Sequence, residues 1–309
     1  MRVFVTGATG FAGGHLVSQL LEAGHTVYGL IRPSEEGQAW PFQPLVGDLL
    51  DAASLQTAVL AAQPDVIYHL AGQADVGASW RQPALTLALN AGGTANLLAA
   101  VVSAELRPRI ITVTSAELYG PLPIEAMPIN GWSQPNPVHP YAISKLAASQ
   151  LAQMYRTRFE LDVIEARPFN HIGPGQMLGF VVPDFASQIM AIQQGRKTPH
   201  MVVGNLAAER DFTDVRDVVR AYQLLAEHGR PGTPYLICSG HPVSIRHILD
   251  LLIELAGVEV EIATDPARMR PSDTPCLYGS YDKLRHDTGW QPQIPLRQSL
   301  ADVLSSYQP

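Results

Sequence analysis

Six short apolar runs punctuate the chain, at Val3 to Thr6, Thr26 to Ile31, Asp65 to His69, Arg109 to Thr114, Asp162 to Ala166 and Pro234 to Cys238. Apolar character that is continuous rather than alternating marks strands covered on both faces. Between the first two runs Leu16, Val17, Leu20 and Leu21 recur at helical spacing, and Gly24 stands where a helix C-cap belongs. That is one βαβ unit. Its repetition predicts an α/β fold, a doubly wound parallel (Rossmann) sheet with right-handed crossovers and ligands bound beyond the carboxyl ends of the strands.

Past residue 168 the texture changes, with Gly173-Pro174-Gly175 and Gly179 early and Pro266, Pro271 and Pro275 later. The expected organisation is a Rossmann domain over 1–168 and a smaller, sequence-discontinuous lobe that takes up most of 169–309. The segment Asp214 to His228 has helical spacing and precedes the last apolar run, so the chain is expected to rejoin the sheet over about 212–240. Internal repeats, low-complexity tracts and charge runs are not seen.

Composition narrows the partners. A hydrophobic fraction of 46% over 309 residues suits one large α/β unit with a buried core. A net charge of -7 argues against nucleic acid or an anionic membrane surface, because both need a basic face. Cys238 and Cys276 lie outside any C-x-x-C spacing, which suggests neither a disulfide framework nor a metal site. Met1-Arg2 leads straight into Val3-Phe4-Val5, without room for a signal peptide, and apolar stretches stay shorter than an uninterrupted membrane span. A reducing cytoplasm is the expected location.

The first strand ends in Thr6-Gly7-Ala8-Thr9-Gly10-Phe11-Ala12-Gly13, and a helix follows at once. Strand, glycine turn and helix N-terminus together make a pyrophosphate cradle, in which backbone N–H groups and the positive helix end face the anion. Gly7, Thr9, Gly10, Phe11 and Ala12 are therefore cofactor-binding candidates. The second strand ends in Ile31-Arg32 with no acidic residue, where NAD-selective folds place an acid for the ribose hydroxyl. Arg32 can pair with a 2′-phosphate, so NADP(H) is favoured, with NAD(H) left open and a solvated surface arginine as the plain alternative. Asp48, in Gly47-Asp48-Leu49, can accept from an adenine amine or equally serve the turn.

Tyr141-Ala142-Ile143-Ser144-Lys145 opens a helix and sets its tyrosine and lysine four apart on one face. An adjacent ammonium and a cofactor's positive ring are expected to lower the phenol's pKa, so that it exchanges a proton with a carbonyl or hydroxyl near neutral pH. Thr114-Ser115 closes an earlier strand and places Ser115 to hydrogen-bond the same substrate oxygen, unless it satisfies backbone.

The sequence resembles the extended short-chain dehydrogenases that modify nucleotide sugars. The matching elements are TGATGFAGG at 6–14, Asp48-Leu49, His69-Leu70-Ala71, Asn90 with Gly93-Thr94, Asn96-Leu97-Leu98, SAELYG at 115–120, YAISK at 141–145, RPFNHIGPG at 167–175, RDFTDVRD at 210–217 and RPSDTP at 270–275. They span essentially the whole chain, and it looks most similar to the GDP-4-keto-6-deoxy-D-mannose reductases, which make GDP-D-rhamnose, with the GDP-mannose 4,6-dehydratases as near neighbours. The resemblance implies Ser115, Tyr141 and Lys145 as catalytic, and Leu49, Leu70, Ala71, Gly72 and His171 beside the cofactor. It further implies Asn170, Arg210, Arg270, Pro271, Ser272 and Asp273 on a GDP-linked deoxyhexose. Glu117 matches the glutamate that removes a proton in the dehydratases, and also one kept in reductases, so it leaves a dehydratase open beside the reductase. A 4-epimerase is a third enzymatic reading, and a non-catalytic NADP-sensing regulator is the reading from another class. Apolar helical positions at Leu85, Leu89, Leu97, Leu98 and Val101, and at Leu146, Leu151 and Met154, suit either a homodimer, as in relatives, or core burial.

Overall fold

In the computed structural model, which describes residues 1–265 and 274–307, the first part of the chain alternates strand and helix. It runs β1 (Arg2–Thr6), α1 (Phe11–Glu22), β2 (Thr26–Ile31), β3 (Gln43–Val46), α2 (Ala52–Ala62), β4 (Val66–His69), α3 (Val76–Arg81), α4 (Pro83–Leu87), α5 (Gly93–Ser103), β5 (Arg109–Val113), α6 (Pro140–Phe159) and β6 (Asp162–Pro168). The remainder runs β7 (Asn170–Ile172), α7 (Val181–Gln193), β8 (His200–Val203), β9 (Glu209–Asp214), α8 (Val215–His228), β10 (Tyr235–Ile237), β11 (Pro242–Ser244), α9 (Ile245–Ala256), β12 (Glu261–Thr264), β13 (Cys276–Leu277), α10 (Asp282–Thr288) and α11 (Leu296–Ser305).

Each of the six apolar runs forms a strand of one parallel sheet, ordered β10-β6-β5-β4-β1-β2-β3. The seventh strand, β3, lies at the edge and is mostly exposed, which is why continuous apolarity does not mark it. The chain winds outward from β1 to β2 and β3, then returns to β4 on the other side of β1. That reversal opens a crevice past the carboxyl ends of β1 and β4, the switch point where such sheets bind ligands.

Helices cover both faces. Leu16, Val17 and Leu20 of α1 and Val218, Val219, Tyr222 and Leu225 of α8 share one buried cluster with the sheet. Leu55 and Val59 of α2 and Leu97, Leu98 and Val101 of α5 fill the opposite face. Truncating one such leucine to alanine costs about 2 to 5 kcal/mol. The first cluster also takes in Leu284 and Trp290, so residues well past 240 pack onto the Rossmann unit.

A second core joins α7, α9 and α11 to β8 and β9. In this lobe β9 lies between β11 and β13 and also pairs with β7, while β12 pairs with β8. The lobe is tied to the sheet by Asp211 of β9. Its buried carboxylate accepts from the backbone N–H and Oγ of Ser239 (2.6 Å each) and from the N–H of Gly240 (2.9 Å), just beyond β10. Asp214 then ends β9 and caps α8, accepting from Arg216 N–H at 2.8 Å, so the chain crosses from lobe to sheet without a linker.

The run Pro83–Ser103 is, at 21 residues, long and apolar enough by length and composition to cross a membrane. Here it comprises α4, a wide π-helical turn over Ala88–Gly92, and α5, packed beside α2 and α6.

Candidate active site

The glycine turn is shaped by close approach. Gly7 has φ +77, and a Cβ there would stand 2.8 Å from the Ala71 nitrogen. At Gly13 a Cβ would overlap the Gly7 carbonyl. The turn can therefore lie flat against the Leu70-Ala71 backbone only without side chains at these two positions. Gly10 is the N-cap of α1, so the first-turn amides are left facing the crevice, which suits a pyrophosphate. Phe11 stacks on His171 (centroids 5.9 Å, 6° between planes), and His15 Nε2 pairs with the Pro174 carbonyl at 2.9 Å. This places His171 beside the cofactor turn, with its pKa lowered by burial, so the ring is neutral.

At the adenosine end the structure adds a group that the strand-end pattern does not mark. Arg32 is exposed and paired with Glu35 (Nη2 to Oε1, 3.0 Å), and Glu35 Oε1 also accepts from Thr9 Oγ1 at 3.1 Å. The acid missing from the end of β2 is thus supplied three residues later, through a 3-10 turn over Pro33–Glu35. Asp48 Oδ1 accepts from Leu50 N–H at 2.8 Å, so in this structure it serves the turn. The Leu49 side chain is buried, and its carbonyl accepts from Asn96 Nδ2 at 2.8 Å.

Catalytic candidates converge at the carboxyl end of β5. The N-cap of α6 is His139, whose Nδ1 accepts from Ala142 N–H at 3.1 Å. One turn in, Tyr141 and Lys145 are both buried, with Lys145 Nζ 6.0 Å from the Tyr141 ring centroid and donating to the Val113 carbonyl at 3.0 Å. The Tyr141 phenol is hydrogen-bonded to Ser115, whose Oγ accepts from Glu117 N–H at 3.1 Å. Burial pushes the phenol up to about 12, against the Ser115 hydrogen bond and with help from the Glu117 charge. Among the surrounding side chains burial thus outweighs the charges, whereas the lowered pKa expected from sequence counted a cofactor's positive ring beside the Lys145 ammonium. Burial also pulls Lys145 down to about 8.

Two residues join the site without having been assigned a role from sequence. Asn90 sits in the wide turn between α4 and α5, accepting from Gln73 N–H (2.7 Å) and donating to the Gln73 carbonyl (3.0 Å) and to Ser144 Oγ (2.8 Å). It thereby fixes Gly72 against the catalytic helix, and π-helical turns recur at functional sites for such reasons. His139 Nε2 lies 3.2 Å from Glu117 Oε2. Beneath both, Glu165 and Arg167 form a buried bidentate pair (2.8 and 3.1 Å), extended to Tyr119, Ser149 and Thr114.

On the lobe side, Asn170 pairs through β7 with Phe212 of β9, and Arg210 Nη1 donates to the Thr274 carbonyl at 2.6 Å. Arg270, Pro271, Ser272 and Asp273 lie outside the described residues, immediately before Thr274. Among the described residues no three His, Cys, Asp or Glu side chains gather into a metal-binding group. A glycine cradle at a helix N-terminus, a protonated phenol held by a serine and a buried lysine fit a nicotinamide dinucleotide and a carbonyl substrate.

The family model for GDP-mannose 4,6 dehydratase matches residues 4–303. The GDP-6-deoxy-D-mannose reductase of Pseudomonas aeruginosa is 39% identical, covering 99% of this chain and 97% of that one. Among solved structures, RMD from Pseudomonas aeruginosa complexed with NADPH has a TM-score of 0.88 at 38% identity, covering 99% of this chain and 98% of that one. The UDP-glucose 4-epimerase of Thermotoga maritima with UDP-glucose has a TM-score of 0.89 at 26% identity, covering the same shares.

Proposed function

The chain belongs to the GDP-mannose 4,6 dehydratase family, and from that premise we propose that it reduces the 4-keto group of GDP-4-keto-6-deoxy-D-mannose with NADPH, giving GDP-D-rhamnose. Bound NADPH supplies the hydride that reaches C4. Tyr141 gives its phenolic proton to the oxygen of that carbon, and Ser115, already bonded to the phenol, orients the oxygen. Lys145 holds the coenzyme's ribose and places a positive charge beside the phenol. Asn170 and Arg210 face the sugar nucleotide from the lobe, arginine being suited to phosphate oxygens.

The observation that carries reduction over its rivals is the similarity, at 39% identity over 99% of the chain, to a relative that bears the reductase name. One observation favours the dehydratase as second reading: the Glu117 carboxylate, held by His139, stands next to the Tyr141 site. Two incubations separate them. With the 4-keto sugar nucleotide, a reductase oxidises added NADPH stoichiometrically; with GDP-mannose and no added NADPH, only a dehydratase yields the ketone.

A homodimer and a cytoplasmic location complete the proposal. Leu97, Leu98 and Val101 prove to be core, whereas Trp80, Leu85, Ile143 and Met154 expose 57%, 44%, 47% and 50% of their surface on α3, α4 and α6, helices that pack side by side. Such an apolar face suits a second copy. Sedimentation of the wild type against Ile143→Lys tests it, with a monomeric wild type as the refuting result. Two free cysteines, one of them buried, suit a reducing compartment.

A further inference from the structure

A hollow of about 610 Å³ lies at the opposite end of the sheet from the crevice, lined by Arg109 and Asp162 at the starts of β5 and β6, Arg156, Thr157 and Glu160 around the C-terminus of α6, and Pro231 before β10. The rise of α6 sets Arg156 about 22 Å along the helix from Tyr141. Charges in the hollow are unevenly paired. Arg109 donates from Nε to Asp162 Oδ2 (2.7 Å) and from Nη1 to the Ala226 carbonyl (3.0 Å), which fixes the guanidinium and offsets that carboxylate. Arg156 has no such counterion. Glu160 stands four residues on, at the spacing of helical ion pairs, yet among the described residues the arginine side chain makes one hydrogen bond, from Nε to Gln153 Oε1 at 3.0 Å. Its other flank lies along Gly232, where a Cβ would stand 3.3 Å from Nη2 and where φ is +108, a conformation for glycine. The half-buried fork is thus held from two sides with both Nη groups unused. Asp162 Oδ1, buried beside it, also lacks a partner.

We infer that this hollow is a second anion site, which takes a phosphate-bearing small molecule on Arg156 and Arg109 without competing with the coenzyme. Phosphate oxygens accept from a guanidinium fork two at a time, and a partly buried cation without a counterion is stabilised by gaining one. Arg230 adds a third cation at the rim beside Pro231, 72% exposed and only 3.9 Å from its nearest acid, Asp287. The unpartnered Asp162 oxygen calls for a donor, which a hydroxyl of the ligand or a water bound with it supplies. The position matters for the enzyme. β5, α6 and β6 line the hollow with one end, and at the other they carry or lead to Ser115, Tyr141, Lys145 and the Glu165–Arg167 pair. A ligand bound here touches the far ends of the three elements that build the catalytic layer.

Calorimetric titration of NADPH-saturated protein with inorganic phosphate, pyrophosphate and ribose 5-phosphate tests the site, whatever reaction the crevice runs. At least one probe should bind saturably, once per chain, and the tightest of the three distinguishes a free phosphate from an ester as the source. Arg156→Gln should weaken that binding by at least about tenfold. Thr157→Glu, at an exposed position of the lining, brings a negative charge into the hollow and should weaken it similarly. NADPH affinity should stay within about twofold of wild type in both variants, which also shows that they are folded; if Arg156→Gln does not fold, Thr157→Glu decides alone. Absence of saturable binding by every probe would overturn the inference. So would binding that the substitutions leave unchanged, because the anion would then sit in the crevice, and so would a probe that displaces NADPH.

Discussion

His139 Nε2 lies 3.2 Å from Glu117 Oε2, joining the N-cap of the helix that carries Tyr141 to a carboxylate whose charge raises the phenol's pKa. Because Nδ1 accepts from Ala142 N–H, the proton of the neutral ring sits on Nε2 and is donated to Glu117. One imidazole therefore caps α6 and fixes a side chain of the site.

The two roles separate by substitution. His139→Ala removes the cap and should cost about 1 kcal/mol in urea unfolding, while His139→Asn, itself a favourable cap, should recover most of it. Asparagine is too short to reach Glu117. If Glu117 contributes to turnover, both variants lose kcat equally despite their different stabilities. Recovery of kcat by His139→Asn would confine the histidine to capping.

Tyr141→Phe deletes the proton donor without changing the packing of the ring. Reduction of the ketone should slow by about 10²- to 10⁴-fold, with NADPH affinity nearly unchanged. Ser115→Ala should slow it less, because water can replace a hydroxyl that orients. Stopped-flow turnover with parallel coenzyme titration checks both; a Tyr141→Phe enzyme near the wild-type rate refutes the assigned role.

Lys145 makes stability and activity respond to pH in opposite senses. Its folded pKa is pulled from the ordinary 10.5 to about 8 by burial, so between those values the unfolded chain binds the proton more tightly. Stability from this group is full above the unfolded value and is lost as pH falls toward about 8; below that, folding carries a buried ammonium costing about 3 kcal/mol. Lys145→Met should accordingly raise the melting temperature at pH 7, gain little at pH 10, and abolish turnover. In the wild type the alkaline fall of kcat/KM should lie near pH 8 and follow Lys145, since Tyr141 stays protonated until about pH 12.

Much of this was legible in the sequence, for definite reasons. The central strands are buried on both faces, so continuous apolar runs give their positions to within a residue or two. The glycine turn and the Tyr-Lys pair declare themselves by spacing along one element. Groups that meet across elements do not. Glu35 reaches Thr9 across 26 residues, His139 reaches Glu117 across 22, and Asn90 reaches Ser144 across 54, so no local periodicity links them. The burial that raises the Tyr141 pKa is equally invisible to sequence spacing, because it is a property of the packed site. The short lobe strands are equally hidden: β7, β11 and β13 hold three residues or fewer.

Arg167 and Glu165 show what supports the catalytic layer. Both are buried, and their bidentate pair also engages Tyr119, Ser149 and Thr114 under Ser115 and α6. Arg167→Leu strands a buried carboxylate and should destabilise by about 3 to 5 kcal/mol. Adding Glu165→Leu should return part of that loss, so a double-mutant cycle by chemical unfolding should give a large positive coupling. Simple additivity would mean the two charges do not meet.

Adjacent glycines in the first turn of α1 face opposite demands. At Gly13 a new Cβ would overlap the Gly7 carbonyl and approach Ala8, both backbone, so relief requires the turn to lift from the helix. Gly14 is in the same helix, yet a Cβ there meets nothing within 4 Å among the described residues. Gly14→Ala should then stabilise by about 0.5 to 1 kcal/mol, the ordinary gain for replacing a helical glycine, with coenzyme affinity kept. Gly13→Ala should weaken NADPH binding by at least tenfold, since the amides that face the pyrophosphate would move with the turn. Melting curves with and without NADPH distinguish the two, because a ligand that binds the folded state raises its melting point in proportion to affinity. If Gly13→Ala kept the full NADPH-induced rise, close backbone approach would not be what this turn requires, and its glycines would be serving flexibility instead.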